Sequence, residues 1–211
     1  MTKEELKQRV YNACECVRAA EGELTEIDAK FGDADHGYTM SKIVNTIEKT
    51  LKEADGNIKE MLDDTAMAVM VLNGGSAVPL WNTWLDGWQE GAPEADEMNV
   101  AEIKAMFQTA FETLDDFSGA KVGDKTLMDV LIPASAAMDK AVSEGRDFAG
   151  ALDEMSAAAV AGRDSTVDMV AKLGRSSRLG ERSRGVMDAG SASCCLILTT
   201  MADTVKELLN A

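Results

Sequence analysis

The chain has 211 residues, 45% of them hydrophobic, with a formal net charge of −16 at pH 7. That length fits a single domain over residues 1–211 with a sizeable core, and the acidic balance argues against nucleic acid or an acidic membrane surface as partner. No uninterrupted apolar run reaches membrane-spanning length and the first ten residues lack a signal peptide's apolar core, so a cytoplasmic protein is expected.

Helical periodicity runs through nearly the whole sequence. The first helix opens at a capping box, Thr2 with Glu5, and carries Leu6, Val10, Cys14 and Val17 on one face. The second is expected over about 38–54 and the third over about 58–72. Pro79 suits an early position of the fourth, where Leu80, Trp81, Trp84, Leu85 and Trp88 follow at helical spacing. A second capping box, Asn99 with Glu102, opens the fifth, which buries Ile103, Met106, Phe107, Ala110, Phe111 and Leu114. The sixth is expected over about 126–143 with a kink at Pro133, the seventh over about 148–173 with an interruption at Gly162, and the eighth over about 191–209. No alternating strand pattern appears. The expected fold is all-α, an eight-helix antiparallel up-and-down bundle or barrel. The thirteen methionines and the tryptophan trio read as core filling. Cys14, Cys16, Cys194 and Cys195 lack metal or redox spacing and read as small core residues.

Four loops are rich in glycine and in small or acidic residues: 28–39, 73–77, 118–126 and 174–190. They follow helices one, three, five and seven. An up-and-down bundle puts every second loop at the same end, so these four meet at one rim, the candidate active site. In the first loop, Asp33 and Asp35 are two residues apart, which in extended backbone aims both carboxylates to one side. Gly32 and Gly37 permit turns that fold Asp28 back towards them. Three clustered carboxylates either hold a hard cation such as Mg²⁺ or form an exposed acidic turn that caps a helix. His36 reads equally as a phosphate contact or as a hydrogen-bonding partner within its loop. Loops 73–77 and 118–126 each lead into a helix, where small residues let backbone N–H groups approach an anion. Between residues 163 and 184, Arg163, Lys172, Arg175, Arg178, Arg182 and Arg184 outnumber Asp164, Asp168 and Glu181. That stretch reads either as a solvated helix end or as a basic arm over a phosphate group. Together these features make a nucleotide phosphate site the economical reading.

The same loops, in this order, resemble the L subunit of the dihydroxyacetone kinases. The matching stretches are residues 32–37, Gly74-Gly75-Ser76 with Pro79 and Leu80, Gly123-Asp124-Lys125-Thr126 with Asp129 and Pro133, and 174–177 with 179–183 and Asp188-Ala189-Gly190. The resemblance implies an eight-helix barrel with ADP or ATP bound at one end. It implies Asp28, Asp33 and Asp35 as ligands of two Mg²⁺. It places His36, Thr39, Gly75, Ser76 and Ala77 at the phosphates, and Gly119, Thr126 and Leu127 beside the base or ribose. Arg175, Asp188, Ala189 and Gly190 would close the site. The implied partners are a substrate-binding K subunit and, in the phosphotransferase-system form, a phosphohistidine M subunit; some relatives instead bind a transcription regulator. An ATP-dependent kinase subunit for another short sugar is a further possibility. Departures from the usual family pattern fall at Thr39, at Ala77 and Val78, at Arg178, and across 184–187.

Overall fold

The computed structural model describes residues 1–209. Among them the chain is all-helical, with no strand and one isolated bridge between Thr2 and Glu97. The α-helices are α1 (Lys3–Ala19), α2 (Glu21–Asp28), α3 (His36–Glu53), α4 (Ile58–Met70), α5 (Ala77–Gly91), α6 (Val100–Ser118), α7 (Met128–Ser143), α8 (Phe148–Ser165) and α9 (Ala189–Leu209). Two 3-10 segments, Thr166–Asp168 and Arg175–Ser183, lie between α8 and α9.

Eight long helices close into a ring. α1 packs on α3, each helix from α3 onward packs on the next, and α9 returns to α1. Local chemistry explains where the helices begin. Thr2 and Asn99 form the expected capping boxes with Glu5 and Glu102, and Asn57 forms a third with Glu60. Inside the ring one buried cluster extends from Leu6 to Val205. Trp84 sits at its aromatic centre, edge-on to Phe111 with ring centroids 5.2 Å apart. Cys14, Cys194 and Cys195 are buried free thiols in this core.

The described residues hold nine α-helices where the periodicity predicts eight. The extra element is α2, because the expected first helix breaks at Ala20. There the Ala20 N–H reaches the carbonyls of both Cys16 (3.1 Å) and Val17 (3.2 Å), tightening the last turn of α1. α2 then leaves to pack on α3 and α9, and the Ser41 hydroxyl donates to the Glu21 carboxylate to hold it there. No proline marks the break, and Gly22 falls inside α2 and not at Ala20, so periodicity alone runs across it.

The expected seventh helix is also shorter than its pattern. α8 stops at Ser165, where the hydroxyls of Ser165 and Thr166 donate to the carbonyls of Gly162 and Arg163, both at 2.6 Å. Gly162 does not interrupt it. A Cβ there would lie 2.1 Å from the Asp129 carbonyl, so the glycine lets α8 approach the backbone of α7. Pro133 lies inside α7, which remains helical through it. No described helix is long and apolar enough to cross a membrane.

Candidate functional site

The parity of the ring brings the N-termini of α3, α5, α7 and α9 to one end, together with the C-terminal ends of α2 and α6. A cavity of about 390 Å³ opens there, and all four glycine-rich loops contribute to its wall. The terminal N–H groups of four helices point towards this end, and their aligned peptide dipoles make it favourable for an anion. At α5 and α7 the N-cap residue supplies no side-chain hydrogen bond to those N–H groups.

Asp28, Asp33 and Asp35 gather on one side of the cavity, each offering a carboxylate oxygen within 4.8 Å of the others. The loop is not extended, as simple alternation would have it. Ala34 has a φ of 60°, a left-handed turn that an L-residue adopts at some cost. Gly32 is required by the fold-back, since a Cβ there would lie 1.9 Å from the Asp28 carboxylate. Asp28 Oδ2 accepts from the backbone N–H groups of Asp35 (3.0 Å) and His36 (3.3 Å), so the same carboxylate orders the start of α3. The donor set is all oxygen and anionic, which suits a hard cation of the Mg²⁺ type. Oxygens that share one such ion lie about 3–4 Å apart, so this cluster closes on a cation with small rotations.

The remaining expected residues surround that cluster. His36, Thr39, Gly75, Ser76, Ala77, Thr126, Leu127, Arg175, Asp188, Ala189 and Gly190 all line the cavity. Gly119 does not. Its φ of 63° makes it the left-handed cap that ends α6, and its neighbours Ser118 and Ala120 reach the wall instead. The half-buried His36 ring reaches across to α9, where Nε2 lies 3.0 Å from the Ser193 hydroxyl. Burial holds its pKa below the ordinary imidazole value, against the pull of Asp28 and of the Ala189 backbone.

Residues 169–186 form an arm of which Leu173, Gly174, Arg175 and Ser176 line the cavity. Arg175 on this arm pairs with Asp33, joining basic arm and acidic loop directly. Arg178, one of the departures from the family pattern, is exposed on the same arm. Arg163 pairs instead with Asp164 on α8 at 2.7 Å and lines no part of the cavity. At the start of α9, Asp188 Oδ2 accepts from the Ser191 N–H at 2.7 Å. Burial pushes the Asp188 carboxyl up to about 6, overcoming its bonds to Ser191, and the nearby Asp129 raises it further.

Sequence reasoning missed the apolar wall, in which Ile27, Phe31, Phe117, Leu173 and Met187 supply a surface on which a flat ring can rest. Helical periodicity carries no signal for residues at the frayed ends of helices. It also missed Lys125, which lines the cavity although its residue is only 4% exposed.

The sequence matches the family described as DAK2 domain over residues 30–203. The chain belongs to the DAK2 domain family. Among curated relatives, this DAK2 domain is similar to the PEP-dependent dihydroxyacetone kinase, ADP-binding subunit DhaL, of Escherichia coli strain K12. The two are 31% identical over 87% of this chain and 88% of that protein. Kinase 2's ADP-binding subunit DhaL from Listeria innocua is 29% identical over 87% of the chain and 86% of its own length. The chain is also 30% identical to the D-erythrulose kinase of Mycolicibacterium smegmatis, spanning 35% of that longer protein. Among solved structures, the dihydroxyacetone kinase from C. freundii in complex with AMP-PNP and Mg²⁺ matches with a TM-score of 0.69 and 22% identity. That match covers 93% of this chain and 33% of the other, and it shows a shared helical fold.

Proposed function

We propose that this chain is the nucleotide-binding subunit of a kinase acting on dihydroxyacetone or another short ketose. The observation that carries the reading is the convergence, at one rim, of a carboxylate triad, four helix N-termini and a basic arm. The similarity to the ADP-binding subunits named above supports it.

In this reading Asp28, Asp33 and Asp35 would hold two Mg²⁺, which would supply positive charge for the phosphates of ADP or ATP. Two ions are favoured over one because a phosphate-bound Mg²⁺ usually takes only one or two carboxylates from protein. When bound, the metal neutralises charge on the phosphoryl group during transfer. The N-terminal backbone of α5 around Gly75, Ser76 and Ala77 receives phosphate oxygens, with Thr39 beside it. Thr126 and Leu127 border the base and ribose against the apolar wall. Arg175 donates charge-assisted hydrogen bonds to phosphate once it leaves Asp33, and the 188–190 turn closes the site. Burial lowers the pKa of His36 and its ring packs against Ser193 on α9, which fits a wall residue and not a covalent carrier.

The acceptor hydroxyl belongs to a substrate on a separate K subunit, and ADP is rephosphorylated in place by a phosphohistidine M subunit. The similarity to subunits named as PEP-dependent favours this donor. The similarity to erythrulose kinases keeps four-carbon ketoses among the candidate substrates. The deciding experiment combines purified chain, a K subunit and a phosphohistidine donor with dihydroxyacetone and with erythrulose. Phosphorylation of one of them only when the chain is present supports the assignment. Tight Mg²⁺–ADP binding without transfer to either would favour a regulatory nucleotide-bound module acting on a transcription regulator.

A further inference from the structure

Lys125 stands between α6 and α7 and takes no part in the reading above. Its ammonium donates to three backbone carbonyls, Ser183 at 2.6 Å, Val186 at 2.7 Å and Met169 at 3.2 Å. An ammonium has three N–H donors, so these bonds use its whole capacity and leave none for a phosphate. The acceptors have a telling distribution. Met169 lies before Arg175 in the chain, and Ser183 and Val186 lie after it. Lys125 therefore grips both feet of the arm that carries Arg175.

The grip is built from both sides. Lys125 has a φ of 63°, a conformation a lysine rarely adopts. The residues around it are held by Asp129, whose carboxylate accepts from the Gly123 N–H and from the Thr126 N–H at 2.7 Å. On the arm, the Gly185 N–H donates to the Val167 carbonyl at 2.7 Å, and the Arg184 guanidinium donates to the Asp168 carbonyl. The Lys172 N–H adds a second tie to the Asp124 carbonyl at 3.1 Å. Between these feet, the 3-10 segment Arg175–Ser183 is half-buried to exposed except at Ser183, so the feet, together with the Asp33 pair, set where Arg175 stands.

We propose that Lys125 is a positioning residue that clamps both feet of the 169–186 arm to the α6–α7 loop and so holds Arg175 at the cavity mouth. Its consequence for ligand binding rests on the nucleotide reading, so the test has two arms. Hydrogen exchange on the metal-free full chain reports the clamp. In Lys125→Met the 169–186 amides exchange at least about tenfold faster, while those of α5 and α6 keep their rates. Calorimetry with ADP and Mg²⁺ reports the consequence, in a cycle with Arg175→Ala. Each single variant weakens ADP by about tenfold and the double variant by no more, because both remove the same contact. Unchanged exchange in the arm, or losses that multiply in the double variant, would overturn the proposal.

If Lys125→Met fails to fold, Arg184→Ala loosens the same feet from the solvent side. Its arm amides then exchange faster, and ADP binding weakens only when Arg175 is present; an equal loss without Arg175 overturns the clamp. If the wild type binds no ADP, the nucleotide reading fails by itself, and the exchange arm still decides whether Lys125 holds the arm.

Discussion

Replacing Asp188 by asparagine in the metal-free, nucleotide-free protein is expected to stabilise it, and more so at higher pH. The carboxyl is pushed up to about 6 from an ordinary 3.8, mainly by burial. A raised folded-state pKa means that the native state binds the proton more tightly than the unfolded chain does. The associated stability is fully present below pH 3.8 and is lost as pH rises through about 6. With these two values, the ionised group costs the native state at most about 3 kcal/mol at pH 8 and about 1.6 kcal/mol at pH 5. Asp188 keeps partial exposure to water, which reduces the gain at pH 8 to about 1–2 kcal/mol. Asparagine retains an acceptor for the Ser191 N–H, so the cap of α9 survives the change. Urea unfolding of both proteins at pH 8, 7, 6 and 5 measures the difference. A stability gap that shrinks towards pH 5 is expected. A gap that is flat, or that widens on acidification, would refute the argument from burial.

Further outcomes follow from the same geometry. Arg175→Ala should weaken ADP binding by about tenfold, whereas Arg163→Ala, whose guanidinium pairs with Asp164 away from the cavity, should change it by less than about twofold. Equal losses that fade together with added salt would make the arm a diffuse field and not a set of positioned groups. Gly162→Ala should lower thermal stability by about 1–3 kcal/mol through its clash with the Asp129 carbonyl. A variant stabilised by the ordinary helical gain of about 1 kcal/mol would show that α7 and α8 are less closely apposed.

The sequence made the ring legible because its signals are local. Thr2 with Glu5 and Asn99 with Glu102 mark helix starts, and counting helices between loops places every second loop at one end. The Asp28, Asp33 and Asp35 cluster was legible from glycine-flanked spacing, although the turn at Ala34 gathers it by a different route from extended alternation. What escaped depends on contacts distant in sequence. The break at Ala20 accompanies the docking of α2 on α3, through Ser41 and Glu21, and Gly22 alone does not fix its place. Gly162 looked like a defect in α8 until the backbone of α7 was placed against it. Gly119 differs from Ala120 at the cavity only by the direction in which a left-handed cap turns the chain. The role of Lys125 is invisible in its own loop, because its partners lie 44 to 61 residues further along.

Calorimetric titration of ADP into the purified chain, with saturating Mg²⁺ and again with EDTA, tests the carboxylate–metal site most directly, using Asp33→Asn as the control. Binding is expected with Mg²⁺, lost with EDTA and lost in Asp33→Asn even at saturating Mg²⁺. Binding of equal strength in EDTA, or in Asp33→Asn, would show that the Asp28, Asp33 and Asp35 cluster is only an acidic turn at the start of α3.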